Sequence, residues 1–310
     1  MFALDLLVKL LPLYLLAGLG FVGGRWVELK SQEIGRAVLF FISPAVIFKG
    51  FYQADLSSAQ AALPVGVFAV ACTLGLLATV AGRRLWRDGT ERIVAFSAGT
   101  GNTGFFGIPA CLALVGPESF PYVVMFSFGA IAYEVSLGFY LVARTRATVR
   151  EAVRRALAYP GLHACWIGLA LNLSGLRLPE VMAVTVDFLS GAYVPLGMMI
   201  VGLGLAGLQD RRGLDPVFGA FAFGFKFLAW PAFAFGFVAL DVAWLGLFDT
   251  TARQVILVQG LVPMAAVTVV HAAIQQVHPE KASVAVAAST LFALFYLPFA
   301  LTLMNALLGH

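Results

Sequence analysis

Residues Gly99-Thr-Gly-Asn-Thr-Gly-Phe-Phe-Gly-Ile-Pro109 put four glycines, an asparagine and a proline inside a run, 93–117, that has no Asp, Glu, Lys or Arg. An uncharged run of this length is read as a helix crossing a bilayer, for which about 20 apolar residues suffice. Glycine and proline nevertheless lower helix propensity, and Pro109 withdraws a backbone donor, so the stretch predicts a spanning helix broken near its centre. Non-helical backbone at membrane depth is tolerated where protein encloses it or where it lines a watery cavity, and there its polar groups are ligands for a solute. The competing reading, that small residues only let helices pack closely, does not require the polar Asn102 beside the break.

The rest of the chain fits this setting. Of 310 residues, 61% are hydrophobic and 12% charged, and mean hydropathy is +0.92, whereas soluble domains carry about 25% charged residues. Five further windows lack ionisable Asp, Glu, Lys and Arg: 56–82, 156–176, 188–209, 254–279 and 282–310. Four other runs, 4–24, 37–52, 121–143 and 217–240, are only lightly interrupted. These numbers exclude nucleic-acid binders, secreted disulfide scaffolds and ordinary cytosolic enzymes. They predict an all-α membrane protein of ten transmembrane helices, at about 4–24, 37–52, 61–81, 93–115, 121–143, 159–176, 183–206, 217–240, 252–275 and 284–307. The start, Met-Phe-Ala-Leu-Asp, has no basic region or clear cleavage site, so the first run is expected to be retained. Cys72, Cys111 and Cys165 all lie in apolar windows and are read as small buried residues, with neither a disulfide nor a metal site expected.

The net charge of +4 acquires meaning from its placement. Alternate joints put Arg25, Lys30, Arg36, Arg83, Arg84, Arg87, Arg92, Arg144, Arg146, Arg150, Arg154, Arg155, Arg211, Arg212 and Lys281 on one side. The other side has Lys49, Arg177 and Arg253 near its boundary, with Asp55, Glu118, Glu180, Asp241 and Asp249. The positive-inside rule then places both termini outside the cytoplasm. Adding or losing one span midway would scatter the later basic clusters onto both faces. The most basic joint, Arg144 to Arg155, is either a topology signal alone or a helix lying along the interface among anionic head groups.

An internal duplication is legible at an offset of 162 residues. Gly-Pro-Glu-Ser-Phe at 116–120 matches His-Pro-Glu-Lys-Ala at 278–282, Gly101-Asn102 falls on Pro263-Met264, and Ser127 on Ser289. Pro44 and Pro195 lie in the second helix of each half. Five helices per half is an odd number, so the halves, 1–155 and 156–310, must insert with opposite orientation as inverted five-helix repeats. Helices 4 and 9 become the crossing pair.

Helix 9 carries Gln259-Gly-Leu-Val-Pro263-Met264-Ala-Ala-Val-Thr268-Val-Val-His271, a second interruption with polar groups on both sides of a proline. Thr268 and His271 are three apart and share a face. His271 is either a proton relay or anion contact, or a neutral imidazole bonded to a carbonyl. Among ionisable residues within spans, Lys49 and Asp187 are near enough to helix ends to snorkel, while Glu134 and Lys226 sit deeper: Glu134 is either a proton-carrying carboxylate, with Lys226 paired to it or holding the field positive, or half of a structural ion pair with Lys226. The pattern G-x-G-x-x-G at 99–104 and 202–207 is no dinucleotide fingerprint, since neither run has room for the required βαβ unit. No nucleophile elbow, paired catalytic acids or metal-spaced His/Cys cluster is present in the sequence, so neither an enzyme nor a cofactor is expected.

Taken together, Pro44-Ala-Val-Ile-Phe48, Asn102-Thr-Gly-Phe-Phe-Gly-Ile-Pro109, Gly202-Leu-Gly-Leu, Val262-Pro263-Met264 through His271-Ala272, Ala288-Ser-Thr-Leu-Phe and Leu297-Pro298 resemble the auxin efflux carrier family. That family includes plant PIN-type carriers and bacterial malate and malonate permease-like members, within the wider bile-acid-transporter-like architecture. The resemblance implies two inverted five-helix repeats contributing to a scaffold and a transport domain, with the substrate site where broken helices 4 and 9 cross. Carried onto this chain, that site comprises Gly101, Asn102, Thr103, Gly104, Pro109, Gln259, Pro263, Met264 and Thr268, with Glu134, His271 and Lys226 as proton- or charge-coupling residues. Many relatives have an asparagine shortly after the helix 9 proline; here Thr268 is the polar stand-in. The chain also lacks the long cytoplasmic loop of many plant members and the paired aspartates of sodium/proton antiporters.

The expectation is therefore a secondary carrier of a small organic anion in the cell inner membrane, with H+ or Na+ coupling or uniport. Membrane lipid and a second copy in a homodimer are its expected macroscopic partners, and nucleic acid is not. The alternatives are a sodium-coupled bile-acid-type symporter, and a ligand-binding channel or sensor.

Overall fold

The structure is a computed structural model that describes residues 2–29, 31–54, 58–143, 148–206 and 215–308. Lys30, Asp55, Arg144, Arg146, Gly207, Arg211 and Arg212 of the sequence reading lie outside the described residues, which contain helices and no strands. In chain order the helices are α1 (Phe2–Trp26), α2 (Ser31–Ala37), α3 (Ser43–Tyr52), α4 (Ser58–Leu85), α5 (Thr90–Gly99), α6 (Ile108–Leu114), α7 (Phe120–Tyr133) and α8 (Phe139–Ala143). The second half follows with α9 (Val149–Ala158), α10 (Pro160–Ser174), α11 (Glu180–Ala206), α12 (Pro216–Gly224), α13 (Trp230–Leu240), α14 (Thr250–Gly260), α15 (Val267–Gln275) and α16 (Pro279–Leu308).

Seven described stretches are long and apolar enough to cross a membrane: Val8–Trp26, Ile34–Tyr52, Ala62–Leu85, Pro117–Ala143, Glu180–Ala206, Pro216–Leu245 and Pro279–Leu308. Their sequences dictate how they sit. In α1, Leu10, Leu13 and Ala17 are buried while Val8, Leu11, Leu15 and Leu19 are exposed. That is a packed stripe on one face and an apolar face on the other, which only lipid can solvate. Three expected spans fall outside the seven: α10, with 15 residues, and the two interrupted stretches, α5–α6 and α14–α15.

Small residues and side-chain amides set the packing. Helices α1 and α11 cross so closely that a Cβ at Gly202 would collide with the Ala17 carbonyl oxygen. Helix α10 lies on α3, and Asn172 donates to the carbonyls of Phe51, Tyr52 and Ala54 at 3.1, 2.7 and 2.8 Å. These groups at the end of α3 would otherwise lack partners. Helix α4 packs on α5 and α7, α13 on α14, and α15 on α16. Lys49 and Asp187, each assigned to an interface by the sequence, pair with one another at 2.7 Å and tie α3 to α11.

Three joints on the basic side are clasped by one lysine. Lys281 lies 2.9 Å from Asp215 and 3.7 Å from Asp88, and donates to the Thr90 hydroxyl at 3.1 Å, while His278 reaches Asp88 at 3.4 Å. The 278–282 segment thus holds the starts of α5 and α12. Gly116 and His278, equivalent at the 162-residue offset, both have positive φ, +128° and +42°, and each precedes the proline that opens the next helix.

Candidate functional site: two helix interruptions that meet

Helix α5 ends at Gly99; Thr100 is extended, at φ −126° and ψ 165°, and a π-helical turn over Thr103–Gly107 leads into α6. Asn102 caps that turn, its side-chain oxygen accepting from Phe106 N–H at 3.3 Å, while Gly107 N–H donates to Asn102 O at 2.9 Å. Pro109 lies in the first turn of α6, directly after the π-helical turn. The break therefore lies at Thr100–Asn102, ahead of the proline, because glycine and the side-chain cap release the backbone there. In the second half α14 ends at Gly260, residues 261–266 are non-helical, and α15 starts at Val267.

The two breaks touch. Asn102 N–H donates to Pro263 O at 2.8 Å. Thr103 O accepts from Ser127 at 3.1 Å and from Gln259 Nε2 at 3.2 Å, and Gln259 Nε2 also reaches Cys111 Sγ at 3.7 Å. Met264 N–H donates to Ser289 Oγ at 3.1 Å, and the Ser289 hydroxyl in turn donates to Val286 O at 2.8 Å. Ser127 and Ser289, matched in sequence, thus each hold the break of their own half. Asn102, Thr103, Gln259, Met264 and Thr268 are all buried. Two glycines make the approach possible: a Cβ on Gly107 would collide with the Gln259 amide, and one on Gly101 with Nζ of Lys226.

An acidic and a basic side chain flank successive residues of the first break. Glu134 heads a π-helical turn, Glu134–Gly138, and accepts a hydrogen bond from Thr100 Oγ1. Lys226, 1% exposed, lies in another such turn, Phe225–Ala229, beside Gly101. Its Nζ stands 5.0 Å from the centre of the Trp230 ring, and Trp230 Nε1 donates to Ala98 O at 2.8 Å. The two side chains thus have separate partners, the Thr100 hydroxyl for Glu134 and the Trp230 ring for Lys226. Such π turns recur at functional sites because the widened backbone redirects side chains and loosens carbonyls.

Other expected residues lie at the margin. His271 packs between Phe96, 4.7 Å between ring centres, and Phe139, 6.0 Å. Thr268 lies in the first turn of α15, and its hydroxyl, like Gln259 Oε1, has no hydrogen-bond partner among the described residues. Gly104 abuts the hydroxyl of Tyr193 on α11, whose ring lies 5.6 Å from Phe105. An apolar cavity of about 400 Å³ runs between α4, α7 and α13, with Val67, Phe126 and Trp230 in its wall. Thr100, Cys111, Tyr193 and Trp230 were missed by the sequence reading. Only Trp230 had a signal, its place four residues after Lys226 on one helix face.

Apolar spanning helices, and two interrupted ones docked through their breaks among buried polar groups, define a multi-pass membrane transporter. The chain belongs to the membrane transport protein family, that of the auxin efflux carriers, whose profile matches residues 5–151 and 141–301. It is 27% identical over 280 residues to an uncharacterized transporter of Methanocaldococcus jannaschii, covering 87% of this chain and 88% of that protein. It is 32% identical over 206 residues to an uncharacterized transporter of Methanothermobacter thermautotrophicus, covering 65% and 66%.

Proposed function

We propose that the chain is a secondary carrier moving a small organic anion by alternating access, with ten spans arranged as two inverted five-helix repeats. The observation that carries this reading is the joint between the breaks, Asn102 N–H to Pro263 O at 2.8 Å, surrounded by buried polar groups. The serine pair and the two turn-forming segments at the 162-residue offset support the repeats. The charge bias supports both termini lying outside the cytoplasm, in a cell inner membrane.

The substrate carboxylate meets the side-chain amide of Asn102 and the hydroxyl of Thr268, beside the backbone of Gly101, Thr103, Gly104, Pro109, Pro263 and Met264 and the Gln259 side chain. The amides of Asn102 and Met264 are already hydrogen-bonded, so side-chain donors rather than those two N–H groups do the recognition. Lys226 holds the field positive next to Gly101, which favours an anion, and opposes the negative ends of α5 and α14 that point at the crossing. Glu134, bonded to Thr100, carries coupling protons, with His271 second. A carrier rather than a channel or sensor is favoured by the membrane transport protein family and by the transporter names of both relatives.

The test is counterflow in proteoliposomes loaded with unlabelled carboxylate. Saturable exchange that Asn102→Ala abolishes is expected; single-channel currents, or full exchange by Asn102→Ala, would remove the reading.

A further inference from the structure

We propose that α9 is a docking surface for anionic lipid and that lipid charge acts through it on the turn carrying Glu134. This rests on the orientation given above, in which the α8–α10 joint is cytoplasmic.

The helix is defined by its own sequence. Thr148 N–H donates to Glu151 Oε2 at 2.7 Å and Glu151 N–H to Thr148 Oγ1 at 3.3 Å, a reciprocal cap that fixes where α9 starts. From there Val149, Val153 and Leu157 recur every fourth residue and are 63%, 51% and 60% exposed. At 100° per residue the three fall within an arc of about 80°, and Arg150 and Arg154, both exposed, line one flank of that arc, about 20° and 60° beyond it. An apolar stripe edged by guanidinium groups matches one environment, the boundary between acyl chains and acidic head groups. The joint from 144 to 155 holds five arginines against one glutamate, so its charge complements an anionic surface.

Position supports the same occupant. Helix α9 packs on the Glu134–Gly138 turn as well as on α8 and α10. That turn lies five to nine residues inside the end of α8 at Ala143, about 7–13 Å along the helix axis. Helix α9 is therefore level with the head groups and upper acyl chains rather than out in water. Arg150 and Arg154 take lipid phosphates while Val149, Val153 and Leu157 enter the acyl layer. Seating α9 in this way presses it on the backbone of Glu134–Gly138, and its release loosens that turn.

Hydrogen–deuterium exchange of the full chain in nanodiscs tests this without any transport substrate, so its outcome is separate from that of the carrier reading. Each arginine near an anionic surface contributes about a fivefold preference. Replacing part of the phosphatidylcholine by phosphatidylglycerol should therefore slow exchange over 149–158 by about an order of magnitude, and slow it over 134–138 as well. The variant R150Q/R154Q should lose both effects, while R83Q/R84Q, which removes the same charge from another basic joint, should keep them. Equal exchange in both lipids, a lipid response retained by R150Q/R154Q, or equal protection by inorganic phosphate in phosphatidylcholine would overturn the lipid surface. Protection only in discs holding two copies would assign the stripe to a second chain instead, and protection of 149–158 without 134–138 would overturn the coupling.

Discussion

Asn102 donates its backbone N–H to the carbonyl oxygen of Pro263 at 2.8 Å, so the two interrupted helices are joined by main chain and not by the Asn102 side chain. The side chain's structural task is one cap bond, from Phe106 N–H. Removing such a cap costs about 1 kcal/mol. Asn102→Ala is thus expected to melt only a few degrees below wild type while its transport falls to background, as read by thermal denaturation and proteoliposome exchange on the same preparation.

Lys226 is a fully buried lysine whose Nζ lies over the face of the Trp230 ring. A buried amine is costly to ionise, and an apolar side chain of similar length avoids that cost. Lys226→Met is expected to match or exceed wild-type stability and yet to lose transport by about tenfold or more, because the positive field beside Gly101 is gone. A destabilised variant with normal transport would show that Lys226 is structural.

Gly202 and Gly204 differ in what surrounds them. A Cβ on Gly202 would collide with the backbone of α1 at Ala17 and Phe21, whereas Gly204 has open space. Backbone cannot swing aside as a side-chain tip can, so Gly202→Ala should cost about 1–3 kcal/mol. Gly204→Ala should be neutral or slightly stabilising, and melting curves of the pair measure the difference.

The clasp at Lys281 predicts an acid dependence. The Phe218 N–H bond and then Lys281 hold the Asp215 carboxyl below its ordinary value of 3.8. At Asp88 partial burial pushes upward, but the Thr90 bonds and the charges of Lys281 and His278 outweigh it and hold that carboxyl low as well. A carboxyl whose folded value is depressed stabilises fully above its unfolded value, and the contribution disappears as pH falls through the folded value. Lys281→Met should therefore be less stable than wild type by about 1 kcal/mol at neutral pH, with the gap closing below about pH 4.

Glu134→Gln keeps the shape of the side chain that accepts from Thr100 but removes its proton exchange. If Glu134 carries coupling protons, the variant should transport at a rate independent of a pH gradient, while wild type responds to it; both rates are read from the same vesicles.

Much of this molecule was legible in its sequence for a physical reason: a bilayer leaves few solutions, so uncharged runs read directly as spans, and glycine with proline inside one reads as a break. Asn102 and Gln259 were visible as polar residues beside breaks in otherwise apolar runs, and Ser127 and Ser289 as polar residues at matched places. What stayed hidden depends on backbone detail and on distance in the fold. The break precedes Pro109 because Asn102 caps the next turn, which no composition reveals. Thr100 matters only because a π turn brings Glu134 to it, and Lys49 meets Asp187 across 138 positions of sequence, too far for any local pattern. Tyr193 at Gly104 likewise follows from how α11 crosses the break.

The central claim is that a carboxylate is recognised at Asn102 where the two breaks meet. Purified wild type and Asn102→Ala should be melted against a panel of mono- and dicarboxylates. The account predicts that at least one acid raises the wild-type melting temperature by several degrees and leaves Asn102→Ala unmoved; equal stabilisation of both proteins, or of neither by any acid, would contradict it.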